Sequence, residues 1–184
     1  KHGNTLTVWS RRSEAMKPLL DAGAQGASSP AEVAKAADIV FSMLPDSADV
    51  REVMLGEQGV AKGARTGLIA VDMSTIYPQA ARQIGAELEA LGVPFLDAPV
   101  SGAETGAIAG SLSIMVGGPS AAFLLVKPLF EYMGKSVIHL GASGAGQAAK
   151  AANQIITGVN VLAIAEAFSF ARKNGVDLAK LKDV

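Results

Sequence analysis

Along this 184-residue chain, short apolar runs alternate with stretches in which apolar side chains return every three or four positions. The first pattern belongs to buried strands and the second to helices that cover them. Strands are predicted over residues 5–9, 38–44, 68–72, 95–100, 112–116 and 136–140, and helices over 14–20, 78–91 and 121–133. Ser29-Pro30-Ala31-Glu32 reads as a capping box with proline in the first turn, and Gly92 as a helix stop. Strands alternating with helices predict an α/β fold whose mostly parallel sheet is covered on both faces.

From Gly146 a helical pattern runs to Lys173 without a breaker, which at ~1.5 Å per residue makes a helix about 40 Å long. Between Ala148 and Phe170 its apolar residues fall nearly all round, the signature of a helix buried between two bodies. Lys150, Asn153, Gln154, Asn160 and Glu166 interrupt that surface and argue against a membrane span. Residues 177–184 begin another helix. Residues 1–3 read as the tail of a helix, so a doubly wound sheet is expected to have a strand and a phosphate-binding turn ahead of them. The expected division is a sheet domain over residues 1–143, lacking its first βα unit, and residues 144–184, the long helix and the start of an all-helical domain.

Composition narrows the chemistry. With 16 basic against 17 acidic residues, no excess of positive charge is available to follow a nucleic-acid backbone, so no such partner is expected. Cysteine is absent, and the two histidines, His2 and His139, are too few for an ordinary metal centre, so no metal is expected. No run of ~18 uninterrupted apolar residues and no basic-then-apolar leader occurs, which makes the cytoplasm the expected compartment, with no membrane partner.

Gly144-Ala145-Gly146-Gln147-Ala148-Ala149 fits the dinucleotide pattern G-x-G-x-x-A and follows a strand-like run. The pattern needs a second strand carrying an acid within a ~30-residue βαβ unit. Here the helix continues straight through Glu166, so the segment is read as a tight turn from strand to helix.

Four segments carry a more specific signal: Met43-Leu44-Pro45-Asp46, Asp72-Met73-Ser74-Thr75-Ile76-Tyr77-Pro78, Asp97-Ala98-Pro99-Val100-Ser101-Gly102, and Gly146-Gln147-Ala148-Ala149-Lys150-Ala151-Ala152-Asn153-Gln154. In this order, with the Gly-x-Leu-x-x-Met-Val-Gly-Gly run between Gly110 and Gly118, they resemble the β-hydroxyacid dehydrogenase family. That family includes 3-hydroxyisobutyrate dehydrogenase and tartronate semialdehyde reductase, with phosphogluconate dehydrogenase more distant. The resemblance implies a Rossmann-like NAD(P)-binding domain with extra C-terminal strands, followed by an interdomain helix. It also implies an all-helical C-terminal domain that packs on that helix, often completes the substrate pocket and supplies dimer contacts, so a homodimer or homotetramer is expected of the full-length protein.

On this resemblance, Lys150 corresponds to the family's catalytic lysine, and Asn153, three residues on, is placed to hydrogen-bond a substrate oxygen. The family often has asparagine where this chain has Gln154, so the polar partner at that position differs. Ser101 and Gly102 match the loop that holds the substrate carboxylate, next to Ala103 where many relatives have a second glycine; a positive φ there would strain alanine. Leu44, Pro45 and Thr75 match positions on the ribose and nicotinamide side of the cofactor. After the first strand come Ser10, Arg11 and Arg12, where an NAD-selective domain usually places an acid; arginine suits the 2′-phosphate of NADP, so NADP is favoured and NAD remains possible.

Each position also has a plainer reading. Lys150 could snorkel to solvent, Ser101-Gly102 could be a simple turn, Pro45 could only end a strand, Arg12 could be a solvated helix residue, and Asp49 is read as a first-turn acid favoured by the helix dipole. The expected activity is hydride transfer between a nicotinamide cofactor and a small β-hydroxy acid or its semialdehyde, with Lys150 moving the proton. Two alternatives share the architecture: an imine reductase, a class that typically lacks this lysine, and a non-catalytic interaction module derived from the enzyme.

Overall fold

A computed structural model describes residues 3–184; the expected helix tail before Gly3 falls largely on residues 1 and 2, outside the described residues. The chain runs β1 (Thr7–Val8), α1 (Ser13–Asp21), β2 (Gln25–Gly26), α2 (Pro30–Ala36), β3 (Ile39–Ser42), α3 (Ser47–Leu55), α4 (Val60–Gly63), β4 (Ile69–Asp72) and α5 (Pro78–Ala90). It continues β5 (Phe95–Asp97), β6 (Val100–Ser101), α6 (Ala103–Ile108), β7 (Leu112–Gly117), α7 (Ser120–Glu131), β8 (Gly134–Gly141), α8 (Ala145–Lys173) and α9 (Leu178–Leu181). Two compact units divide it, one through Lys150 and the other Ala151–Val184.

In the first unit, helical crossovers join β3, β4 and β5, and such crossovers make neighbouring strands parallel. The strand expected over 95–100 is interrupted at Ala98-Pro99, because proline has no N–H to give to a ladder. Its two halves, β5 and β6, both pair antiparallel with β7, while β8 lies parallel to β7. β1 and β2 form a separate two-stranded parallel sheet beside this six-stranded one.

All four residues of β4 are buried, as expected of a strand covered on both faces. Ala70 and Phe95 face a cluster with Val50, Met54, Ile84 and Leu88 from α3 and α5. Val71 and Leu96 face Phe123, Val126 and Phe130 from α7. The alternation of side chains along each strand therefore builds one core on each side of the sheet. Phe130 is fully buried, packing edge-on to Phe41 at 5.9 Å between ring centroids and stacked with Phe123 at 6.5 Å.

Local signals explain several boundaries. The Ser29 hydroxyl accepts the Glu32 N–H at 3.2 Å, while the Glu32 carboxylate binds Lys35 rather than closing a reciprocal box. Gly92, at φ +78°, ends α5 in the left-handed conformation that glycine adopts without strain.

The second unit is the continuation of α8 followed by α9, which Asp177 caps by accepting the Ala179 N–H at 2.9 Å. The helix was expected to be buried, but Ile155, Ile156, Val159, Leu162 and Phe170 are exposed, because nothing among the described residues covers them. By length and composition alone α8 is apolar enough to cross a membrane, a test that core helices also pass. Replacing Phe130 by alanine is expected to lower folding stability by about 3–5 kcal/mol, read as an earlier urea unfolding midpoint.

Candidate active site at the start of the long helix

Ser42, Asp72, Asp97 and Gly117 are partners in one register row that crosses β3, β4, β5 and β7. This puts two carboxylates side by side at the C-terminal ends of the parallel strands, both fully buried. A buried carboxylate is costly unless hydrogen bonds replace its water. The Asp97 carboxylate accepts the Gly144 N–H at 2.7 Å and the Gln147 N–H at 2.9 Å, so a strand residue caps the first turn of α8. Asp72 Oδ1 accepts the hydroxyls of Ser42 and Ser74, each at 2.6 Å, whereas its Oδ2 is enclosed without a partner.

Burial raises the pKa of Asp97; the two backbone bonds oppose the rise and the neighbouring Asp72 charge adds to it. Burial likewise raises Asp72, with Ser42 and Ser74 pulling it down. The α8 turn comes so close that a side chain at Gly146 would strike the carbonyls of Met115 and Asp97, and one at Gly117 would lie 2.6 Å from Asp97 Oδ1. The Gly144–Ala149 pattern thus cannot use these N–H groups to cradle a phosphate, since the protein's own carboxylate holds them.

Gln147 carries the network on to the next loop. It is 1% exposed; its Nε2 donates to the Ser74 carbonyl at 2.7 Å and its Oε1 accepts the Ile76 N–H at 3.0 Å. Thr75, between those two residues, is exposed on a turn held from below. Ser74 Oγ in turn accepts the Leu44 N–H at 2.8 Å, so the loops after β3 and β4, which contain Leu44-Pro45 and Thr75, share one scaffold with α8.

Lys150 follows Gln147 by three residues and therefore lies one turn along the same side of α8. It is 8% exposed, has no hydrogen-bond or ion-pair partner among the described residues, and burial lowers its pKa. Among the described residues, the side-chain oxygens enclosed without a partner are those of Asp72 and Ser143, so the Lys150 amine is not sealed in the same way. An unpaired, partly desolvated amine is what a proton-transfer lysine requires.

The other expected residues are more scattered. Ser101 ends β6, half-buried and with its hydroxyl unpartnered among the described residues, and Gly102 and Ala103 form the exposed entry to α6. Gly102 has φ +133° and Ala103 has φ +52°, so the alanine adopts the left-handed conformation that its Cβ disfavours. Asn153 and Gln154 lie in the second unit's part of α8, the first half-buried and the second exposed. Arg11 pairs with Asp49 at 2.7 Å, which gives Asp49 a partner that its reading as a helix-dipole acid lacked. Arg12 precedes α1, its N–H bound to Ser10 Oγ at 3.3 Å.

Residues 1–141 match the model of the NAD binding domain of 6-phosphogluconate dehydrogenase, and residues 144–184 match that of the NAD-binding region of NADP-dependent 3-hydroxyisobutyrate dehydrogenase. The chain belongs to the β-hydroxyacid dehydrogenase family. It is 46% identical over 164 residues to the 2-hydroxy-3-oxopropionate reductase of Escherichia coli K12, covering 89% of this chain and 56% of that protein. To the 3-hydroxyisobutyrate dehydrogenase of Pseudomonas aeruginosa it is 39% identical over 184 residues, covering 100% of this chain and 62% of that one. The solved 3-hydroxyisobutyrate dehydrogenase of Mycobacterium tuberculosis, crystallised with L-serine, superposes with a TM-score of 0.91 at 37% identity, covering 98% of this chain and 61% of that chain. An imine reductase from Myxococcus stipitatus shares the fold at 22% identity and a TM-score of 0.84 over 98% of this chain and 62% of that one. The chain thus spans a little over half the length of the curated relatives it matches.

Sequence reasoning missed the buried residues of this candidate site: Ser42, Asp72, Asp97 and Gln147. One signal was present, an acid at the end of each of two apolar strands, Leu68 to Asp72 and Phe95 to Asp97. Ala103→Gly should relieve the left-handed strain and stabilise the fold by about 0.5–1 kcal/mol, measured by chemical denaturation.

Proposed function

We propose that this chain is the nucleotide-binding part of an NADP-linked oxidoreductase that interconverts a small β-hydroxy acid and its semialdehyde, with Lys150 as general acid and base. The observation that carries this reading is Lys150 itself: a residue 8% exposed whose amine is only partly desolvated, has no partner among the described residues, and is pushed by burial toward its neutral form. Its presence also favours a hydroxy-acid substrate over the imine reductase reading, and a catalytic role over an interaction module.

The donor set fits a nicotinamide dinucleotide. Leu44, Pro45 and the supported Thr75 turn offer a rigid edge at the strand ends, where α/β sheets bind ligands. Arg11, with Ser10 and Arg12 beside it, offers a guanidinium at the end of β1; its bond to Asp49 uses one nitrogen and leaves others to meet a 2′-phosphate. When bound, the nicotinamide accepts or donates the hydride.

In this reading the chain's residues do the rest. Neutral Lys150 takes the hydroxyl proton as the substrate carbon is oxidised, and the ammonium returns it in reduction. The Ser101 hydroxyl and the backbone N–H groups at Gly102 and Ala103 hold the substrate carboxylate. Asn153, with Gln154 next to it, hydrogen-bonds the reacting oxygen.

Lys150→Met in the full-length protein should lower kcat by about 10²–10⁴-fold while NADP still binds; unchanged turnover would refute the assignment. Because the lowered pKa makes the neutral amine accessible, oxidation should gain rate with rising pH through the Lys150 titration and reduction should lose it. The inflection should lie below the ordinary lysine value of about 10.4 in paired pH–rate profiles. Arg11→Ala should weaken NADP binding by about tenfold and leave NAD binding nearly unchanged, as followed by cofactor fluorescence.

A further inference from the structure

The hydrogen bonds around Gln147 are more numerous than helix packing needs. An apolar residue of the same length would fill the same space but leave the Ser74 carbonyl and the Ile76 N–H unpaired, and this position spends both ends of a buried amide on that one turn. The Nε2 donates to the Ser74 carbonyl at 2.7 Å, the Oε1 accepts the Ile76 N–H at 3.0 Å, and the backbone N–H is held by Asp97 at 2.9 Å. The turn so gripped presents Thr75, and the next turn of the same helix presents Lys150.

We infer that Gln147 is a positioning residue that joins the cofactor edge to the proton-transfer group, fixing the Thr75 turn with its side chain and the approach of Lys150 through its place in α8. This rests on the function proposed above and adds to it a residue that touches neither substrate nor cofactor. A carboxamide suits the task because it donates and accepts at once without a charge beside two buried carboxylates. A protonated carboxylic acid can make the same pair of bonds, whereas a carboxylate cannot donate to the Ser74 carbonyl.

The test uses the full-length protein with NADP as the probe. Gln147→Met keeps the length of the side chain and removes both bonds; it should remain folded by circular dichroism, bind NADP about tenfold more weakly and turn over more slowly. Gln147→Glu should bind NADP as the wild type does at low pH and lose that affinity as the introduced carboxyl ionises, a titration absent from the wild type and from Gln147→Met. Wild-type NADP affinity and turnover in Gln147→Met, or a pH-independent affinity in Gln147→Glu, would overturn the inference. Unfolding of either variant under conditions where the wild type is folded would also overturn it, since the residue would then act only in stability. Lys150→Met separates this from the function itself: full turnover there defeats the catalytic reading whatever Gln147 does to NADP affinity.

Discussion

The Asp97 carboxylate, bound to the Gly144 N–H just before α8 and to the Gln147 N–H in its first turn, is the contact on which the rest of the site depends. A helix of 29 residues begins with unsatisfied donors and the positive end of a dipole, and both have to be met where the helix joins the sheet. A residue 47 positions earlier in the chain meets them here, from a strand rather than from the local turn. The choice carries a desolvation cost, visible in the raised pKa of Asp97, and its return is that the helix start is fixed to the sheet.

That fixed start organises its neighbours. Gly117 and Gly146 are needed because any side chain there would occupy the space between helix and strand. Ser42 and Ser74 let a second acid, Asp72, share the same dry row, and Ser74 passes the connection on to Leu44. Gln147 then reaches the Thr75 turn, so the loops after β3 and β4 and the first turn of α8 are joined by one polar network. Satisfied buried networks of this kind tend to fix one geometry, because each member left unpaired would cost more than it contributes when paired.

Much of the fold was legible in the pattern of the chain. β3, β4, β7 and the long helix were readable because their periods persist over enough residues to stand out. β2, α4 and α6 were not assigned, and α3 was read only through Asp49 as an acid in a helix's first turn: β2 has two residues and α4 four, and in so short a span no period is distinguishable. The break at Pro99 could have been foreseen from its missing N–H, though not that β5 would lie between β4 and β7 while β6 pairs with β7 on its other side. In the site, Lys150 and the strain at Ala103 were legible from motif and departure from motif. The bonds of Asp97 and Gln147 were not, since they join residues 47 to 73 positions apart and leave no trace in local periodicity.

The length of α8 has a mechanical corollary. Over roughly 43 Å of unbroken helix, each degree of tilt at the anchored turn moves the far end sideways by about 0.75 Å. A lever of that ratio tolerates little play at its fulcrum, so the small glycines and short hydrogen bonds packed around the first turn act as a bearing.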